Sequence, residues 1–168
     1  MNACYAGSFD PLTFGHLDIL SRALKIFERV TLAIGRNEGK TPLFSLEERL
    51  DLLRRETHDL GDRVVVAAFD GLVVDYCAKE GIKTLIRGVR TVVDFEAEMA
   101  MAYANRRLMA GIDTVVFYPS EATSYISSRL IKEVARGGGD ISGFVPPLVA
   151  EALIARIGRP GRGGAPQR

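Results

Sequence analysis

The 168-residue chain has only two cysteines, Cys4 and Cys77. They lie far apart in apolar stretches, without the CxxC or His-rich spacing that a zinc site requires, and both read as small core residues of a reducing compartment. Charge of one sign is also missing: 22 basic residues against 21 acidic ones leave a net charge of +1. No global field draws such a chain toward nucleic acid or an anionic membrane, so an anion must be held by a local site. No apolar run approaches the ~18 residues of a membrane span, and no basic, apolar and small-residue succession marks a secretory leader. A cytoplasmic protein without membrane or nucleic-acid partners is the expectation.

What is present is enough apolar material, 47% of residues against 26% charged, to fill one core. Short β-branched runs alternate with segments of helical period. Strands are expected at Ala3 to Gly7, Val30 to Gly35, Val64 to Phe69, Thr84 to Ile86 and Thr114 to Tyr118, each apolar enough to be buried on both faces of a parallel sheet. Helices fit Leu17 to Phe27, a segment capped by Ser45, Leu72 to Glu80, Asp94 to Met109, a segment capped by Ser127 or Ser128, and one begun by Pro146-Pro147. The pattern predicts an α/β fold, a doubly wound five-stranded parallel sheet with helices on both faces and ligands outside the carboxyl ends of its strands. Residues 1–158 form the expected single domain, and 159–168, rich in Gly, Pro and Arg, an expected disordered tail.

The strand-end loops carry the candidate chemistry. After the first strand, Gly7-Ser8-Phe9-Asp10-Pro11 turns toward a helix start at Gly15-His16, where free amides favour phosphate and His16 can donate to it; the same residues also fit as turn and cap. Gly35 to Thr41 resembles a P-loop, but three residues rather than four separate its glycines and Pro42 follows, which speaks against a Walker NTPase. Arg87 and Arg90 flank Gly88 at the end of the fourth strand and can converge on phosphate, or pair with Asp94, Glu96 or Glu98. Thr123, Ser124, Ser127 and Ser128 outnumber what capping needs. No covalent nucleophile stands out.

Taken together, Gly7 to Pro11, Thr13 to His16, Lys40 to Phe44, Leu46 to Arg49, Ile86 to Arg90 with Asp94 to Glu96, and Ile126 to Ser128 with Val134 to Arg136 make the sequence resemble bacterial phosphopantetheine adenylyltransferase, within the nucleotidyltransferases of the [HT]xGH motif. The resemblance covers about residues 3 to 157. It implies a Rossmann-like fold and transfer of the adenylyl group of ATP to 4′-phosphopantetheine, giving 3′-dephospho-coenzyme A and pyrophosphate, with Mg²⁺, in a homohexamer, and with coenzyme A as feedback inhibitor. By the same resemblance His16, Lys40 and Arg90 are catalytic. Ser8, Phe9, His16, Gly88, Val89, Arg90, Glu98 and the run Thr123, Ser124, Tyr125, Ile126, Ser127, Ser128 and Arg129 meet ATP. Ser8, Lys40, Leu72, Val73 and Arg87 meet the phosphopantetheine. The reaction it implies needs no protein-held metal and no general base, since the attacking phosphate oxygen is already an anion.

Overall fold

Apolar runs too short for helices become five strands: β1 (Asn2–Ala6), β2 (Arg29–Gly35), β3 (Val64–Phe69), β4 (Thr84–Gly88) and β5 (Asp113–Phe117). Every pairing is parallel and the spatial order is β3-β2-β1-β4-β5. The chain thus builds outward from β1 in one direction, then returns to add β4 on its other side, and this reversal opens a crevice beyond the carboxyl ends of β1 and β4. The computed structural model from which these features come describes residues 1–36 and 41–158. The expected tail at 159–168 lies outside the described residues.

Among the described residues six α-helices connect and cover the sheet: α1 (Phe14–Ala23), α2 (Leu46–Thr57), α3 (Val73–Lys79), α4 (Val92–Leu108), α5 (Ser128–Arg136) and α6 (Pro147–Ile157). Side chains alternate across β1 with the period of two that a strand imposes. Ala3 and Tyr5 face a core built with Ile19 and Leu20 of α1, Leu53 of α2, Ile131 of α5 and Leu153 of α6. Cys4 faces the opposite core, with Val74 and Cys77 of α3 and with Ile82 and Leu85. Both thiols are buried and free, as the sequence suggests. Burying these side chains stabilises the fold by roughly 1.5–3 kcal/mol for each large aliphatic or aromatic group.

The elements expected from the sequence all occur, with shifted ends. The fourth strand runs on to Gly88, because Arg87 and Gly88 pair in register with Val116 and Phe117; Arg87 therefore projects from a strand rather than a loop. The fourth helix starts two residues early, where Thr91 caps it by accepting from the Asp94 amide at 3.1 Å. Two short 3₁₀ turns, His58–Arg63 and Glu121–Thr123, carry no periodic signal. Among the described residues no helix is long and apolar enough to cross a membrane.

Candidate functional site

The turn after β1 is held from three sides. Gly7 follows the strand and donates to the Ala33 carbonyl at 3.0 Å. A Cβ on Gly7 would stand 3.1 Å from the ring of Phe9, so this close approach suits glycine. Phe9 adopts a left-handed φ of 45°, a conformation that costs a non-glycine residue about 1–3 kcal/mol and needs its surroundings to hold it. Its ring provides that hold: it is 1% exposed and meets Tyr5 and His16 edge-on, with centroids 5.4 and 5.0 Å away.

Asp10 then acts as a staple. Its carboxylate accepts from the amides of Leu43 and Phe44 and from Lys132 Nζ of α5, each at 2.9 Å. Burial raises the carboxyl pKa, but the Leu43 amide, Lys132 and the Phe44 amide outweigh it, and the net shift is downward. Arg49 of α2, almost fully buried, donates to the Ser8 carbonyl at 2.9 Å. Ser128 Oγ donates to the Pro11 carbonyl at 2.7 Å. The first loop, the segment after residue 40, α2 and α5 are thereby joined.

Thr13, not Ser8 or Asp10, caps α1. Its hydroxyl accepts from the His16 amide, and the Thr13 amide donates back to His16 Nδ1 at 3.1 Å. An amide N–H can only donate, so Nδ1 is unprotonated and the neutral ring carries its proton on Nε2. Burial, aided by the positive charge of Arg90, lowers the His16 pKa from 6.5 to about 4. The ring at this helix start is a neutral hydrogen-bond donor at ordinary pH.

Two cavities meet at the crevice. The first, about 340 Å³, is lined by Tyr5, Ser8, Thr13 and His16 from the β1 turn and α1, by Arg87, Gly88, Arg90, Asp94 and Glu98, and by Thr123, Ile126, Ser127, Ser128 and Arg129. The amino ends of α1 and α5 both open onto it, which favours an anion. The second, about 1250 Å³, is more apolar: Phe69, Leu72, Val73, Leu85, Met101 and Ala102 line it, together with the basic Arg36, Arg49 and Lys132. Ala6, Gly7, Ser8, Arg87, Glu98, Ser128 and Arg129 belong to both.

Most of the residues singled out from the sequence therefore converge. Ser8, His16, Gly88, Arg90, Thr123, Ile126, Ser127, Ser128 and Arg129 share the first cavity with Arg87 and Glu98, while Leu72 and Val73 line the second. Others do not reach a wall. The Val89 side chain is 1% exposed and packed in the interior, as is the ring of Phe9, the residue expected to offer a backbone amide. Ser124 turns its hydroxyl to the Glu121 carbonyl at 3.0 Å, and Tyr125 is 59% exposed against Phe144. Lys40 lies outside the described residues.

The arginines are engaged by carboxylates. Glu98 takes Arg87 through two bonds of 2.5 and 2.6 Å, while Arg87 also donates to the Ala6 carbonyl at 2.6 Å. Arg90 lies 3.4 Å from Asp94 and donates to the Ile126 carbonyl at 3.1 Å. The ion pairs that the sequence left open thus form without removing either cation from the cavity. Glu98, expected on the nucleotide side, lines the first cavity and the second as well.

A parallel sheet reversing at β1/β4, a Gly-Ser turn, and a histidine at the amino end of the following helix make a ligand crevice that favours phosphate. Residues 4–134 match the cytidylyltransferase-like family. The chain belongs to the cytidylyltransferase-like family. Its fold is similar to that of nicotinic acid mononucleotide adenylyltransferase of Plasmodium falciparum, solved in complex with NaAD, with a TM-score of 0.67 at 13% identity over 92% of this chain and 95% of that one. It is also similar to the lipopolysaccharide core biosynthesis protein of Thermoplasma volcanium, with a TM-score of 0.51 at 21% identity over 71% of this chain and 96% of that one. As a cytidylyltransferase-like protein with this doubly wound sheet, the chain has the framework of a nucleotidyltransferase.

Four residues that shape the site receive no role from the sequence: Tyr5, Thr13, Arg49 and Lys132. Thr13 and Arg49 stand within quoted motifs, but the usual capping-box signature has Glu or Gln where His16 follows Thr13. A tyrosine inside an apolar strand and a lysine on an amphipathic helix carry no such mark.

Proposed function

We propose that the protein transfers the adenylyl group of ATP to 4′-phosphopantetheine, releasing pyrophosphate. The observation that carries this reading is the shared wall of Ser8, Arg87 and Glu98 between a small cavity lined by arginines, hydroxyls and helix amino ends and a larger, more apolar one. A triphosphate suits the first. An acceptor with an anionic end and an extended, weakly polar arm suits the second, its phosphate against the shared wall and its arm toward Leu72 and Val73.

The chemistry follows from that arrangement. An oxygen of the acceptor phosphate attacks the α-phosphorus of ATP, the bond to the β-phosphate oxygen breaks, and pyrophosphate leaves with the electron pair. The attacking oxygen is already anionic, so the work of the protein is alignment and neutralisation of charge. His16 Nε2–H donates to the nucleotide phosphates; being neutral, it adds a directed hydrogen bond rather than a charge. Arg90 and the amino end of α5 face the same phosphates, and Arg87 and Lys40 hold the acceptor phosphate. Two polyanions repel at close range, which is why so many donors converge.

Mg²⁺ fits this site as a companion of the triphosphate. Among the described residues no three of His, Cys, Asp or Glu are grouped to hold a metal, and the carboxylates at hand, Asp94 and Glu98, pair with Arg90 and Arg87. The metal would supply charge neutralisation on the leaving pyrophosphate.

Coenzyme A, which joins a pantetheine arm to an adenosine nucleotide, is the proposed feedback ligand of the same cavities. Self-association, to a hexamer by the resemblance above, is supported by α4: Val92, Val93, Met101, Tyr103 and Leu108 are each more than half exposed along it, an apolar surface that calls for cover. The two free thiols fit a cytoplasmic setting.

Pyrophosphate release tests the reading with ATP alone, with ATP and phosphopantetheine, and with ATP and nicotinic acid mononucleotide. Turnover with phosphopantetheine only is the expected result. Turnover with the mononucleotide instead would reassign the acceptor, and ATP binding without turnover on either would make the protein a nucleotide sensor.

A further inference from the structure

We propose that the phenolic hydroxyl of Tyr5 is a further hydrogen-bond donor to phosphate in the first cavity. Tyr5 ends the α1-facing side of β1 and is 5% exposed. Its ring is fixed by Phe9, edge-on at 5.4 Å, and lies 6.3 Å from the His16 ring. Among the described residues no side-chain or backbone group bonds the hydroxyl, yet no side-chain polar atom there is both sealed from solvent and unpartnered. Both statements hold when solvent reaches the hydroxyl, and Tyr5 lines the first cavity.

Gly88 keeps that approach open. A Cβ built at Gly88 would stand 3.7 Å from the Tyr5 hydroxyl and 2.2 Å from Ile19 Cδ1, so the glycine leaves the space above the phenol clear. Burial raises the phenol pKa, and Arg87 and Arg90 offset only part of that rise. The group therefore stays protonated and donates.

The neighbours decide what it donates to. His16 Nε2–H, Arg87 and Arg90 offer only donors, and Glu98 Oε1 and Oε2 are both taken by Arg87. Both carboxylates of the cavity, Asp94 and Glu98, are paired with arginines, so the donors that face the phenol, with the amino ends of α1 and α5, suit a ligand that brings acceptors, and phosphate oxygens bring the most. This rests on reading the first cavity as a nucleotide site, but not on the identity of the acceptor.

Tyr5→Phe removes one oxygen and keeps the shape. Calorimetry with ATP, with inorganic tripolyphosphate and with adenosine, beside a melting curve, tests the assignment. The expected result is binding about tenfold or more weaker for ATP and for tripolyphosphate, the effect of losing a hydrogen bond to a charged group, with adenosine affinity within about twofold and the melting temperature unchanged or raised. Undiminished phosphate affinity would overturn the proposal, as would equal loss for all three ligands, a clear drop in melting temperature, or a wild type that binds neither ATP nor tripolyphosphate. A wild type that loses phosphate affinity on this substitution but does not adenylate phosphopantetheine leaves Tyr5 assigned and refutes the acceptor.

Discussion

The Thr13 amide donates to His16 Nδ1 at 3.1 Å while the Thr13 hydroxyl lies 2.9 Å from the same nitrogen. One residue thus caps the helix and selects the tautomer of the other. With its pKa lowered to about 4, His16 holds no proton on Nδ1 through the physiological range. The ring proton resonances of His16 are expected to titrate near pH 4, and kcat should show no inflection from this residue between about pH 5.5 and 8. A midpoint near the ordinary 6.5 would contradict the buried, tautomer-locked ring.

The same shift makes folding acid-sensitive. In the unfolded chain this imidazole takes up a proton as pH falls through 6.5, whereas in the folded protein it resists down to about 4. The unfolded state then binds more protons, so stability is lost between those values. Asp10 acts lower on the scale: its folded pKa lies below 3.8, so its contribution is present above that value and fades as pH falls through the folded pKa. Asp10→Asn removes the ion pair with Lys132 and should cost about 1–3 kcal/mol at neutral pH, while flattening the most acidic part of the stability curve. Denaturant titrations at pH 7, 5 and 3 would read both effects.

Replacing His16 separates a donor from a charge. His16→Ala is expected to lower kcat by about 10²–10³-fold, the cost of removing one preorganised donor to developing charge, with phosphopantetheine affinity little changed. His16→Gln, whose amide can still donate, should recover part of that loss. Steady-state pyrophosphate release decides it, and near-wild-type kcat in the alanine variant would remove His16 from the chemistry.

Arg87 has two partners in prospect. Glu98 holds it by two bonds of 2.5 and 2.6 Å, and an arriving acceptor phosphate would compete for the same guanidinium. Arg87→Ala should raise KM for phosphopantetheine more than KM for ATP, and lower stability by about 1–3 kcal/mol because Glu98, 17% exposed, loses its charged neighbour. A double-mutant cycle with Glu98→Gln measures how much of that loss is the pair itself. Equal KM changes for both substrates would count against the acceptor role.

The sheet and its helices are legible in the sequence because parallel strands buried on both faces write themselves as uninterrupted apolar runs, and because Ser45, Ser127 and Pro147 mark helix starts with their own chemistry. The early start of α4 is not, since Val92 and Val93, both exposed, imitate a buried segment. Within the site, residues clustered by the β1 turn or the serine loop could be found from their order along the chain. Contacts over longer separations could not: Asp10 meets Lys132 over 122 positions, and Arg49 meets the Ser8 carbonyl over 41. The exposed Tyr125 and the interior Val89 show the converse, that belonging to a motif does not bring a side chain to the cavity wall.

The wall of Ser8, Arg87 and Glu98 has a pharmacological consequence. Because these residues line both cavities, a single molecule with a phosphate bridge at that wall is expected to occupy both. It would lose its translational freedom once rather than twice, so its affinity would exceed what either half predicts. The span and polarity of such a bisubstrate inhibitor are set by residues that serve both cavities, and a resistance substitution at Ser8 or Arg87 would impair handling of the natural ligands as well.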